Sequence, residues 1–185
     1  MTAPAPAFRS LLRRLYLVRF AFALVWAGAI AVAPSAGLPL TTLLVLYPLA
    51  DAVAVLWQLR AEGPSQASRV PEWANVAVSV LTAIVLGWVS TVSVAGVLAV
   101  WGVWAITAGL GQLITAVLRR RVGGQVPLIV SGAISVLAGG AFLAQSAGDV
   151  TSAAVVGGYA VVGGAFFLIA AIRLTITLRR ERVSR

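Results

Sequence analysis

Neither cysteine nor histidine occurs anywhere in the 185 residues. Their absence excludes disulfides, thiolate or imidazole metal ligands, haem held through histidine, and any nucleophile that needs a histidine base. Acid is scarce as well, with only five carboxylate side chains against fourteen arginines. Glu62, Glu72 and Glu181 read as members of arginine-rich loops and Asp149 as part of an outer turn, which leaves no converging acid and base pair for catalysis. The chain is therefore expected to be non-enzymatic, with no cofactor and no metal.

Charge of either sign is confined to 10% of the residues, while 61% are hydrophobic. That balance lies far from the mix of a soluble domain and points to an integral membrane protein. A bilayer core of about 30 Å takes about 20 apolar helical residues per crossing. Six such spans can be drawn, at 15–33, 38–59, 73–88, 92–118, 126–146 and 151–178. Lipid offers nothing to an unpaired backbone group, so each span is expected to be a helix. Segments such as "SVLTAIVLGW" lack the two-residue alternation of a barrel strand. The start resembles a secretory signal peptide ending at Ala33, but Pro34 would hinder cleavage, so the first run is read as a retained span.

The arginines fall before span 1 or in its first turns, between spans 2 and 3, between spans 4 and 5, or in the last turns of span 6 and beyond it. The connections "PSAGLP", "VSTVS" and "QSAGD" hold none. Positive loops stay in the cytoplasm, so both termini are expected there. Trp57 and Trp73 fit the inner interface and Trp88 the outer one. The formal charge of +9 is accounted for by this arrangement without nucleic acid. Residues 1–14 form a basic N-terminal segment, with "AFRSLLRRLYLVRF" as an interfacial turn or a set of snorkelling arginines. Residues 179–185 form a basic tail.

The fold class that follows is all-α, a polytopic bundle of six helices arranged as three repeated hairpins at 15–59, 73–118 and 126–178. Setting Tyr47, Trp104 and Tyr159 in register also aligns Asp51, Ala108 and Gly163. The repeated hairpin, the small-residue pairs of "TAGLGQLI" and "VVGGAFFLIAA", the glycines of "LVWAGAIAVAP" and "SVLAGGAF", and the arginine closing "AAIRL" resemble the HdeD family of bacterial acid-resistance membrane proteins. The resemblance covers roughly residues 19–173. It implies a six-helix inner-membrane protein linked to acid tolerance, and it supplies no catalytic residues. Asp51 departs from the glycine-type pattern of the repeat.

Asp51 is the one acid inside an apolar run. Nine residues separate it from Arg60, which places it on the order of 13 Å inside the membrane. An ionised carboxylate facing lipid there costs about 3 kcal/mol even on the lenient insertion scale. It needs a partner, and Arg19 is the first candidate, Arg173 the second. Pro48 lacks an N–H and deprives the Leu44 carbonyl of its donor one turn away, which would bend the helix beside the acid. Two readings stand: a proton-titratable or cation-sensing site, and an Asp to Arg pair that fixes the packing of spans 1 and 2. Asn75, Gln112 and Gln58 could extend the polar network.

Small residues recur every fourth position: Ser131, Ser135 and Gly139 on span 5, Ala153 and Gly157 and again Ala160 and Gly164 on span 6, Ala105 and Gly109 on span 4. Each series makes one stripe where helices can approach closely, within the subunit or against another copy. Trp26, Trp101 and Trp104 lie within the membrane as packing or as the wall of an apolar groove. Arg119, Arg120, Arg121, Arg179 and Arg180 are expected at anionic lipid headgroups, each contributing about 1 kcal/mol. "RVGGQ" is a turn and lacks the lysine and spacing of a phosphate loop. The partners expected are the bilayer and its headgroups, with a homo-oligomer or a larger membrane complex as further possibilities. The role expected is support of the envelope or of acid tolerance, with a small transporter or channel and an accessory subunit as rivals.

Overall fold

The computed structural model describes residues 6–33, 36–62, 69–122, 125–149 and 152–183. Six helices follow one another: α1 (Pro6–Val32), α2 (Leu38–Glu62), α3 (Val70–Val89), α4 (Val94–Leu118), α5 (Gln125–Ser146) and α6 (Val155–Val183). A single 3₁₀ turn, Arg120–Val122, joins α4 to α5. Among the described residues there is no strand. Each helix carries a stretch of 20 to 26 residues long and apolar enough to cross a bilayer. Pro34, Thr151 and Arg185, and the side chains of Glu62, Glu181 and Arg182, lie outside the described residues.

The distribution of side chains is that of a protein solvated by hydrocarbon. Val25, Val32, Leu38, Ile84 and Leu137 are exposed on the outer faces, whereas Gln58, Glu72, Asn75, Ser79, Thr82, Gln125 and Ser131 are buried inside. Apolar surface costs nothing against lipid tails, and the polar groups gather where they can meet one another. Trp57, Trp73 and Trp88 stand exposed near helix ends.

The helices close into a ring in chain order, with α1 packed on α6. The most extensive contacts are α4 with α5, α1 with α6 and α2 with α3. The expected hairpin partners, α1 with α2, α3 with α4 and α5 with α6, meet less extensively. The closest seam explains itself by glycine. A Cβ on Gly139 of α5 would lie 2.6 Å from the Gly102 carbonyl oxygen of α4, and one on Gly132 would lie 2.8 Å from that of Gly109. Each helix thus contributes two glycines seven residues apart, and seven residues return to the same face of a helix. On the opposite seam, Gly157 sits against Ala27 and Ile30, and Gly164 against Ala23 and Phe20.

The N-terminal boundary differs from expectation. Residues 6–14 are the first turns of α1 itself, not a separate segment. Leu12 is fully buried with Tyr16, Leu128, Ala171 and Leu174, so apolar packing continues past the first arginines. Arg9 is buried as well. At the C-terminal side, α6 runs through residues 179–183 of the expected tail.

Two layers fill the ring. One half holds an aliphatic and aromatic core of Leu40, Leu44, Leu86, Val97, Leu98, Phe142 and Val156 around Trp26 and Trp101. Tyr47 touches both of those indoles, with ring centroids 4.5 Å and 5.5 Å apart. Trp26, Trp101 and Trp104 are therefore interior packing, and none of them walls an apolar groove on the outer surface. The other half, toward the arginine-bearing end, holds the second apolar cluster around Leu12 and Leu174 and, beside it, a chamber with polar walls.

Candidate functional site

The chamber begins with a stripe on α3. Glu72, Asn75, Ser79 and Thr82 are all buried, at spacings of three, four and three that keep them on one face of a helix. Pro71 within the first turn suits a helix start, because its missing N–H has no partner to lose there, and Glu72 beside it meets the positive end of the helix dipole. Glu72 is thus a helical residue of the interior and not a member of the loop, which corrects its expected place.

Asp51 of α2 faces this stripe. Its Oδ1 accepts from Arg19 Nη2 of α1 in a direct ion pair. Its Oδ2 accepts from Asn75 Nδ2 at 2.7 Å and from Ser79 Oγ at 3.1 Å. The Trp104 indole N–H of α4 donates to Ser79 Oγ at 3.0 Å. Four helices are tied to one carboxylate, and both of its oxygens are occupied. The Arg19 guanidinium lies over the Phe167 ring of α6, 4.3 Å from its centroid, a placement favourable for a cation against an aromatic face.

One turn toward the arginine-bearing end is a second ion pair. Arg119 Nη2 donates to Glu72 Oε1 at 2.9 Å, with the two side chains only 12% and 6% exposed. Arg119 is accordingly part of the interior, whereas Arg120, Arg121, Arg179 and Arg180 are exposed. Glu72 Oε2 is buried and receives no hydrogen bond from a described residue.

Between the pairs lies a cavity of ≈ 100 Å³. Its walls include Tyr16, Tyr47, Tyr159 and Trp104, the amides of Gln58, Asn75, Gln112 and Gln125, and both ion pairs. Tyr47, Trp104 and Tyr159 all reach it, as do Asp51, Ala108 and Gly163. From Trp104 to Arg119 the chamber follows α4 for about 22 Å. At its Trp104 end the aromatic and aliphatic core closes it.

The remaining predicted residues divide. Arg173 is exposed on α6 and takes no part in the Asp51 centre; Phe167 is the residue α6 brings to Arg19. Pro48 is fully buried within an uninterrupted α2, and the Trp26 indole N–H donates at 2.7 Å to the carbonyl of Leu43, next to Leu44. Gln112 donates to the Leu128 carbonyl at 3.0 Å, joining α4 to α5.

The expected stripe of Ser131, Ser135 and Gly139 is split. Ser131 and Ser135 line the chamber, with Ser135 bonded to the Tyr159 hydroxyl at 2.5 Å, while Gly139 packs on α4. Ala105, Ala160 and Gly164 are buried on their helices, and Ala153 is buried just before α6 begins. Gly102 and Gly132 complete the glycine seam and were not anticipated. Among the described residues no group of three His, Cys, Asp or Glu side chains is placed to hold a metal.

No family model, curated protein or solved structure matches the chain.

Proposed function

We propose that this multi-pass membrane protein is a non-enzymatic protein of the bacterial inner membrane, of HdeD type, that supports envelope integrity or tolerance of acid. The observation that carries the reading is the use made of the central charge. Asp51 spends both oxygens on α1 and α3, and through Ser79 it holds α4. A centre so fully engaged serves to lock four helices together, and the apolar layer beyond Trp104 seals the bundle against passage of ions. The three-hairpin repeat and the HdeD-like glycine pattern belong to the same proposal. So does the orientation, with the arginine-bearing end in the cytoplasm, where Arg120, Arg121, Arg179 and Arg180 meet anionic headgroups.

The experiment is survival after acid shock in the source bacterium. Deletion lowers survival, the native chain restores it, and a chain carrying Asp51→Leu does not. Equal survival of the deleted and native strains overturns the reading.

A second reading, a small carrier, is favoured by the chamber itself, a polar-walled cavity inside the bundle of the kind in which a transporter seats its solute. Flux into liposomes separates the two. A carrier moves solute and loses that activity in Asp51→Asn, whereas a scaffold moves none in either form.

A further inference from the structure

The chamber holds two unused charged valences of opposite sign. Glu72, 5% exposed, spends Oε1 on Arg119 and has no protein donor for Oε2. A buried carboxylate oxygen without a donor is costly and calls for a partner that the described side chains do not supply. On the other side, Arg19 uses Nη2 on Asp51, and no other hydrogen bond of its guanidinium reaches a described residue. Of its five N–H groups, the rest are available.

The net charge of the lining decides what fits between them. Arg19 and Arg119 balance Asp51 and Glu72, so the chamber is neutral as it stands. A lone cation or a lone anion would bring uncompensated charge into the membrane interior, which the low dielectric penalises. A molecule carrying both charges adds none. We propose that the chamber binds a small zwitterion, its ammonium held on Glu72 Oε2 and its anionic end on the free N–H groups of Arg19.

The dimensions set the class further. Asn75 and Ser79, which hold the Asp51 end of the site, lie three and seven residues beyond Glu72, axial rises of about 4.5 and 10.5 Å. The two charges of the ligand are therefore separated by several bonds, as in an ω-amino acid, and are not on one carbon. A cavity of ≈ 100 Å³ has room for a molecule of a few heavy atoms. Glu72, Thr115, Arg119 and Gln125, at the arginine-bearing ends of α3, α4 and α5, form the other end of the site.

The test is calorimetric titration of the full chain in lipid nanodiscs with 4-aminobutanoate and 6-aminohexanoate, against butanoate and butylamine. At least one zwitterion binds about tenfold or more tighter than either single-charge analogue, and Glu72→Gln abolishes that preference while the helical content is retained. The proposal is overturned if butylamine or butanoate binds as well as the zwitterions, or if neither zwitterion binds. The comparison of ligands on the unaltered protein decides the matter even if Glu72→Gln does not fold.

Discussion

Asp51→Ala is expected to cost about 3–5 kcal/mol of folding stability, the loss that follows when one member of a buried ion pair is left alone. Arg19 would remain in the interior with a side chain only 18% exposed and no countercharge, and Asn75 and Ser79 would lose their acceptor. The cost therefore comes mostly from the groups left behind, and replacing both members should reduce it. Arg19→Leu with Asp51→Leu is expected to be more stable than either single variant carrying a lone charge. Denaturant unfolding of the detergent-solubilised protein, followed by helical circular dichroism, measures all three. A double variant as unstable as the sum of the singles would show that the two side chains do not act as one unit.

The sequence made this pair visible because an acid within an apolar run has few ways to survive, and Arg19 enters from the same end. The sequence ranks Arg19 ahead of Arg173 but cannot dismiss the latter. α6 is apolar around most of its circumference, and a helix of that kind carries no periodicity to say which face turns inward. Arg173 accordingly proved to be outside, and Phe167 took the inward position. The spans and their number were legible from hydrophobic length alone.

Glu72 was missed for a different reason. Its acidity and nearby arginines suggested a loop, although Pro71 and the three, four, three spacing of Glu72, Asn75, Ser79 and Thr82 together signal a helix with one polar face. Gly102 and Gly132 lie outside the four-residue series of small residues. The α4 and α5 seam repeats at seven, so Ser131 and Ser135 were free to face the chamber. Whether a polar residue packs against a helix or lines a cavity depends on neighbours that one segment does not reveal.

The second large effect belongs to that seam. Gly139→Ala places a methyl 2.6 Å from the Gly102 carbonyl oxygen and 2.7 Å from Ile106 Cγ1. Backbone cannot yield as a flexible side chain does, so the helices must separate, and overpacking of this kind costs about 1–3 kcal/mol. Gly140, the next residue on α5, is exposed and has nothing within 4 Å of the same added atom. Gly140→Ala should be neutral or stabilising by up to about 1 kcal/mol, since alanine is the better helix former. The two variants differ by one position and share composition, so their thermal midpoints in one detergent isolate the contact. Equal midpoints would mean that α4 and α5 do not approach as closely as described.

The closure of α1 on α6 bears on how the chain is made. A ribosome delivers the N-terminal part first, at roughly 5–20 residues per second. The groove on α1 around Ala23 and Ala27 must therefore wait, from the moment of its insertion, for the last helix to be synthesised. Until then its future partner surface is covered by lipid or by the insertion machinery. Truncation upstream of Val155 would leave the Ala23 and Ala27 face of α1 without the partner that covers it.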